Sequence, residues 1–581
     1  MGRSVARLLG LDVLERTYLR LGPSGSPTEF LGRVLTELDV TVDCPAAERA
    51  RLPAAGPCVF VSNHPYGGLD GVVLASLIGE RRGDLRILAN ELLCRIPELD
   101  PMVLPLDVFS GGAAVFRNLK SLRRARDWLA DGRSLLLFPA GEVSHLHASL
   151  GGVIDPPWRE SAAWLLAQVP ECRVVPLYVE GVNSAAFQVA GLLHPLMRTA
   201  MLPREMLNKS GRRIRVVVGE PLGPGLADRI EGLPELTRCL RMQTYLLPAA
   251  SPPCGDAVAS ADAAAAVEPV ACASDGDVLT REIEARVQRG VLASSGDLVV
   301  VHVNGAESAA VLHEIGRLRE LTFRAVGEGT GRSIDVDRFD HWYEHLVLWD
   351  TRARCIAGAY RLGRVDRVLA RHGRDGLYTS TLFEYRDLFL PLLGPAIEVG
   401  RSWVRAEYQR SFAPLLLLWK GIGAFLLRHP GYRSLFGAVS ISGRYDPRAL
   451  QLAVEYLRHH HGDPILGGLV RARAPFRRAA GTRLLRREIA TLTAPEAVDA
   501  VLESLGRQGE GLPVLVRQYL KLGGRMLSFN VDAAFGNSVD CLVSVDLRRT
   551  PPNVLARYMG RDGAASFLAA QRGNRSISAL R

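Results

Sequence analysis

Paired cysteines are missing from this sequence. Its 9 cysteines are scattered from Cys44 to Cys541 with no C-x-x-C pair. That pattern excludes a disulfide framework and a zinc ribbon, and it fits a reducing cytosol. Aromatic residues reach only 7%, and neither an RNA-binding aromatic signature nor a zinc-finger spacing occurs, which argues against nucleic acid as a partner. Long apolar runs are absent too. Arg and Asp break the N-terminal MGRSVARLLGLDVLERTYLRLG, so no signal-peptide core forms, and no stretch reaches the about 18 apolar residues of a spanning helix. The nearest, Phe412 to Leu427, carries Lys420 in its middle. An excess of acid is missing as well: 71 Lys+Arg against 61 Asp+Glu leave a net charge of +10. Such a balance favours an anionic partner, acyl carrier protein or phospholipid headgroups. With 48% apolar and 23% charged residues, the chain has a globular composition and not a disordered one. The expectation is a cytoplasmic protein, peripheral on the inner face of the cytoplasmic membrane.

Between Pro248 and Asp277 the chain holds no Lys or Arg and is rich in Ala, Pro, Ser and Asp without apolar periodicity, a linker composition. The expected organisation is an amphipathic segment over 1–40, an α/β domain over 41–247, a linker over 248–277 and a second domain over 278–581. No internal repeat appears, so the two halves are different domains. In the first half CVFVS, LRILA, SLLLF, RVVPLYV and RIRVVVG read as buried strands alternating with amphipathic helices, which predicts a largely parallel sheet. The second half mixes strand-like runs (DLVVVHV, HLVLW, AIEVGRSWV, LFGAVSI) with helices. A mixed α/β domain with a central antiparallel stretch is expected.

Chemistry concentrates at two strand ends. In VFVSNHPYGGLDG the strand ends at Ser62 and Asn63-His64-Pro65 enters a loop. Gly67-Gly68 lets the chain turn, and Asp70 stands at the start of the next helix. Asp70 can accept the Nδ1 proton of His64 and leave the other ring nitrogen as a base toward a hydroxyl. The same residues also read as a structural histidine satisfied by a helix-capping aspartate. FPAGEVS follows another buried strand and puts Gly141 and Glu142 at its carboxyl end, where sites of open α/β sheets lie.

Together these segments resemble the glycerophospholipid acyltransferases, whose motifs read N-H-x-x-x-x-D and F-P-E-G-T-R-S. VVPLYVEGVNS and VVVGEPL match later parts of the same domain. The resemblance covers about Phe60 to Leu222 and implies acyl transfer from a thioester to a hydroxyl. His64 would be the general base and Asp70 its orienter, with Asn63, Gly141 and Glu142 on the substrate side. Five residues separate His64 from Asp70 where the family has four. Ala140 stands at the family's Glu, Val143 at its Arg and Glu142 at its Thr. The family's Arg serves an acceptor phosphate, so its absence argues for an acceptor headed by an amino acid. NHPYGG and FPAGEVS look like the lipid O-acyltransferases that finish ornithine lipids and their haemolysin-labelled relatives.

From about Ile315 to Leu547, IGRLRELTFRAVGEGTG, DHWYEHLVLWD, EVGRSWVRAEYQ and the C-terminal VRQYLKLGGRMLSFNVDAAFGNSVDCLVSVDL resemble the lipid N-acyltransferases that make lyso-ornithine lipid. Those are remote relatives of the N-acetyltransferase (GNAT) fold and of homoserine-lactone synthases. Glu398 and Arg401 are candidates for steering an amino-acid acceptor, or else a structural ion pair. KGIGA (Lys420–Ala424) carries the glycines of a pyrophosphate-binding turn, with Leu418 in place of its Gln or Arg; packing glycines of a helix read the same way. His459, His460 and His461 follow one another on a helix and point about 100° apart, so they cannot converge on a metal ion. Arg198, Arg204, Lys209, Arg212, Arg213 and Arg215, and Arg3 and Arg7 near the start, are candidate membrane-docking cations.

The sequence thus predicts a bifunctional acyltransferase of ornithine-type lipid synthesis. It needs no cofactor, takes acyl-ACP or acyl-CoA as donor, and works on an amino acid, ornithine by resemblance, at a membrane surface. The rivals are a lysophospholipid acyltransferase with an accessory C-terminal half and a non-enzymatic, haemolysin-like membrane-binding protein.

Overall fold

The structure, a computed structural model, describes residues 10–22, 25–107, 112–147, 152–230, 232–250, 267–478, 485–493, 495–505 and 511–578. The chain divides into two compact units. One is Met1–Pro252 with Arg478–Leu492 and Glu503–Leu505; the other is Pro253–Arg477 with Thr493–Leu502 and Gly506–Arg581. Arg3 and Arg7 fall outside the described residues, as do residues 251–266 of the expected linker. Beyond these, Glu268 and Ala271 donate backbone N–H bonds to Gly331 and Ser333 of the second unit.

Both units are mixed α/β, as the sequence predicts. The first contains β1 (Thr41–Asp43), β2 (Cys58–Ser62), β3 (Leu85–Asn90), β4 (Val103–Leu106), β5 (Ser134–Leu137), a small hairpin of β6 (His145–His147) and β7 (Gly152–Ile154), β8 (Arg173–Val179) and β9 (Arg213–Val218). Seven of them form a sheet in the order β1-β9-β8-β2-β5-β3-β4. Every neighbouring pair is parallel except β8 with β9. Strands covered on both faces read as unbroken apolar runs, and β2 and β5 are buried at every position. β2 lies mid-sheet between β8 and β5, so its carboxyl end delivers the next loop to the place where such sheets carry their sites. β1, β4 and the hairpin were not legible, being three or four residues long or, in β4, interrupted by Pro105.

The helix Leu233–Tyr245 backs this sheet and buries Arg241 and Gln243. The Arg241 guanidinium pairs with Glu488 at 2.8 Å and donates to the Asp155 carbonyl at 2.9 Å. Gln243 Nε2 donates to the Ser504 carbonyl at 2.9 Å. Residues within the stretch expected to be purely the second domain therefore complete the core of the first unit.

The second unit contains β10 (Ala293–Ser295), β11 (Leu298–Asn304), β12 (Glu344–Asp350), β13 (Cys355–Arg364), β14 (Phe383–Tyr385), β15 (Ala396–Val404), β16 (Ser434–Ile441), β17 (Val470–Ala472), β18 (Arg525–Asp532) and β19 (Ser538–Asp546). Its eight-stranded sheet runs β10-β11-β12-β13-β15-β16-β19-β18. Neighbours are antiparallel except β15 and β16, which pair in parallel only from Ala396–Ser434 to Glu398–Phe436. Beyond Glu398, β15 continues to Val404 bonded to β13 alone. The two strands part, and a wedge opens between them. No helix among the described residues is long and apolar enough to cross a membrane.

Candidate functional site

In the first unit the loop after β2 is built around Asp70. This carboxylate is fully buried; its Oδ2 accepts the N–H of Tyr66 at 2.8 Å and of Gly67 at 2.9 Å, capping the helix Gly68–Gly79. Gly67 takes φ 81°, and a Cβ there would meet Leu202 and Val143 side chains at 2.9 and 3.1 Å. The glycine thereby accommodates the one residue by which this loop exceeds the family spacing. The turn brings His64 Nδ1 to 2.9 Å from Asp70 Oδ2, a bent contact and not a straight hydrogen bond. Such contacts straighten when substrate closes the site. Burial raises the Asp70 carboxyl above its ordinary range, against the pull of His64 and the two N–H donors. The His64 ring stacks on Phe138 at 4.1 Å between centroids. No protein group among the described residues bonds its Nε2.

The FPAGEVS loop lies against this one: Ser144 N–H donates to the His64 carbonyl at 2.8 Å. Asp155, buried and unforeseen from the sequence, ties both loops. Its Oδ1 accepts from His64 N–H at 3.1 Å and from Ser144 Oγ at 2.5 Å, and its Oδ2 accepts from Trp158 Nε1 at 2.9 Å. Only the D-P-P-W string hinted at a rigid corner here. Gly141 sits in the loop with φ 69°.

Two other expected substrate-side residues have different occupations. Asn63 is 3% exposed, donates Nδ2 to the Val179 carbonyl at 2.9 Å and accepts the Val179 N–H at 2.8 Å. Its amide extends the β2–β8 ladder past the strand end. Glu142 pairs with Arg198 at 2.9 Å while half-exposed, so its charge is spent at the surface. Of the expected basic patch, Arg204, Arg212 and Arg213 are exposed. Lys209 is buried on Glu205 at 3.0 Å and Arg215 pairs with Glu48 at 2.5 Å. The surface near this loop also offers apolar side chains: Val182, Val189, Leu192, Leu193 and Met197 are all exposed.

In the second unit, Glu398 and Arg401 do not pair with each other. Glu398 is buried, accepts the Thr379 N–H at 2.6 Å and the Tyr378 N–H at 3.2 Å, and is met by the Tyr343 hydroxyl. Arg401, at φ 50° in a bulge of β15, pairs with Asp335 at 3.3 Å and lies 5.1 Å from the Tyr378 ring. Around them Arg319 and Arg361 bind Asp335, Asp337 and Asp340, all but Asp337 buried. Three guanidiniums facing three aspartates balance one another, the condition under which buried charge is tolerated. Glu398 is a supporting residue of that frame and makes no contact that would steer an acceptor.

Beside the frame stand two carboxyls, Glu328 and Asp540, that form no ion pair among the described residues, although Arg401 acts on both and Arg410 shares the Glu328 cavity. Glu328 lines a cavity of about 510 Å³ with Phe323, Val326, Trp403, Phe412 and Leu415. Burial raises its pKa, Arg401 pulling the other way. Asp540 holds Ser440 Oγ through Oδ1 at 2.9 Å and leaves Oδ2 unpartnered. Burial, aided by Asp532 and Glu328, pushes its pKa up to about 7. The unfolded carboxyl titrates near 3.9, so between these values the native chain keeps a proton that the unfolded chain has released. Stability therefore falls as pH rises through that window. Asp540→Asn should be more stable than the parent at about pH 8, by on the order of 4 kcal/mol, and indistinguishable at about pH 4. Denaturant unfolding at the two pH values measures this. An equal effect at both would show that Asp540 titrates normally.

Gly421 and Gly423, the tempting pyrophosphate glycines, lie inside the helix Ala413–Arg428. A Cβ on either would strike Val300 or the Tyr558 carbonyl at 2.6 Å. Their role is helix packing, and their N–H groups sit within the helix and not in an open turn.

The chain matches the acyltransferase family over residues 10–252 and an acetyltransferase (GNAT) domain over 318–420. It is 32% identical over 263 residues to a glycine N(alpha)-acyltransferase of Bacteroides thetaiotaomicron, which spans 43% of this chain and 77% of that protein. The protein of the same name from Phocaeicola vulgatus is 31% identical over 241 residues, 40% of this chain and 73% of its own. A lyso-glycine lipid O-acyltransferase of Phocaeicola vulgatus is 31% identical over 202 residues, 33% of this chain and 68% of that protein.

Proposed function

Because the chain belongs to the acyltransferases of amino-acid lipid synthesis, we propose that it performs both acyl transfers of such a lipid. In the second unit the α-amine of a free amino acid attacks a 3-hydroxyacyl thioester. Glu328 first takes a proton from the ammonium; the free amine then attacks, the amide forms, the C–S bond breaks, and the nitrogen's second proton goes to the departing thiolate, which leaves as the thiol. In the first unit the hydroxyl of that chain attacks a second thioester. His64 Nε2 removes its proton, the ester forms, and the imidazolium returns the proton to the departing thiolate. Asp70 fixes the ring and steadies its charge.

The observation that carries this reading is the His64–Asp70 pair at the end of β2, in a chain that also holds a GNAT domain. The relatives' names support glycine as the amino acid; ornithine, which the motif resemblance implies, is the alternative. The placement of Gly421 and Gly423 inside a packed helix, with no open pyrophosphate-binding turn there, supports an acyl carrier protein thioester over acyl-CoA. The exposed Val189, Leu192, Leu193 and Met197 support work at a lipid surface.

Expression in a host without amino-acid lipids, followed by mass spectrometry of its lipid extract, is the test. An N-acyl amino acid and its O-acylated product should both appear, and their masses name the headgroup. An extract in which only phospholipid acylation rises would refute the reading.

A further inference from the structure

The FPAGEVS loop has no arginine in its sequence, since Val143 stands where the family has one. The structure puts one there from elsewhere. A Cβ built on Gly141 would lie 3.2 Å from both Cζ and Nε of Arg159, so the guanidinium rests against the bare glycine. Its position is set by the chain around it. Arg159 N–H donates to the Pro139 carbonyl at 2.9 Å. Pro156 and Pro157 fix the backbone just before it. Trp158 is buried and held by Asp155, the carboxylate that also holds His64 and Ser144. One short segment thus sets the base and the guanidinium in a common frame.

The neighbouring cations are already committed: Arg198 to Glu142, Lys209 to Glu205 and Arg241 to Glu488. Arg159 is exposed, and no carboxylate pairs with it among the described residues. We propose that Arg159 binds the carboxylate of the acceptor's amino-acid headgroup while His64 addresses the acceptor's hydroxyl. The inference rests on the O-acyltransferase reading of this site. In an N-(3-hydroxyacyl)glycine the carboxylate is the lone charge, a short amide-containing chain away from the hydroxyl. A planar guanidinium meets a carboxylate through two parallel bonds. Recognition there would both anchor the lyso-lipid and set which hydroxyl reaches the base.

The experiment uses the full-length enzyme with N-(3-hydroxyacyl)glycine and, separately, with the same lipid as its carboxamide. Arg159→Gln should raise KM for the acid by about 10–100-fold and leave kcat nearly unchanged. The carboxamide, which offers no charge, should be acylated equally by parent and variant, and Arg159→Lys should recover part of the loss. Equal losses on acid and carboxamide would overturn the proposal, because Arg159 would then only support the loop. An unchanged KM would overturn it as well. If the parent ignores both amino lipids and acylates lysophosphatidate, and Arg159→Gln raises that KM, the guanidinium serves a phosphate. The carboxylate assignment then fails together with the amino-lipid reading, whereas a failure confined to Arg159 leaves that reading standing.

Discussion

His64→Ala in the full-length enzyme should convert a producer of diacyl lipid into one of monoacyl lipid. The lost step is the O-transfer, and removal of a positioned base costs about 10²–10⁴-fold in rate. The N-acylated intermediate, made in the other unit, should accumulate in the lipid extract. The side chain is 17% exposed, and the loop is held by backbone bonds that the substitution spares: His64 N–H to Asp155, and Ser144 N–H to the His64 carbonyl. A folding defect is therefore not expected, and unchanged melting of the variant checks this. Asp70→Ala is a poorer probe because it also removes the helix cap on Tyr66 and Gly67. Glu142→Gln is the fitting control. It breaks only the surface pair with Arg198, worth about 0–1 kcal/mol, so diacyl lipid should persist. Diacyl lipid at parental levels in His64→Ala would remove His64 from the mechanism.

The His64–Asp70 pair was legible in the sequence because all of its geometry is local. A buried strand, a glycine turn and a capping aspartate fall within one short segment, and each is set by its own residue type. The apolar runs of β2, β8 and β9 were legible for the same reason. What could not be read is what the sheet brings in from afar. Asn63 was expected on the substrate side, and β8 supplies a partner that its spacing did not announce, the Val179 backbone. Glu142 was expected on the substrate side, and the helix Pro195–Leu207 supplies Arg198 as its partner. Asp155 and Arg159 carry no motif, and their roles exist only once the hairpin of β6 and β7 folds back on the His64 loop. Glu398 and Arg401 are near each other in sequence, yet each found its partner on a segment far away, Thr379 for one and Asp335 for the other. The buried frame they join has no signature in spacing.

Glu328→Gln should abolish both lipids at once, and added lyso-lipid should restore the diacyl product. The asymmetry follows from the order of the chemistry. In the proposed scheme the hydroxyl that His64 activates arrives on the 3-hydroxyacyl chain, so no acceptor exists until the amine has been acylated. An amino acid at neutral pH carries an ammonium, which cannot attack a thioester until it loses a proton. Glu328 is the carboxyl that lines the 510 Å³ cavity, its side chain has no hydrogen-bonded partner among the described residues, and burial raises its proton affinity. The glutamine keeps the shape and cannot take the proton, so the N-transfer should fall by about 10²–10⁴-fold. Raising the assay pH should recover part of the rate, because solvent then supplies free amine; a merely structural loss would not recover. Cutting the chain into halves is a weaker test of the same order. A fragment ending near residue 250 would strip Glu488 from Arg241 and leave that buried guanidinium without its carboxylate, a loss of about 3–5 kcal/mol that would confuse misfolding with missing substrate. Point variants in the whole chain avoid this: Glu328→Gln silences the first step and His64→Ala the second. If Glu328→Gln instead accumulates an O-acylated product without added lyso-lipid, the O-transfer does not wait for the N-transfer, and the assigned order is wrong.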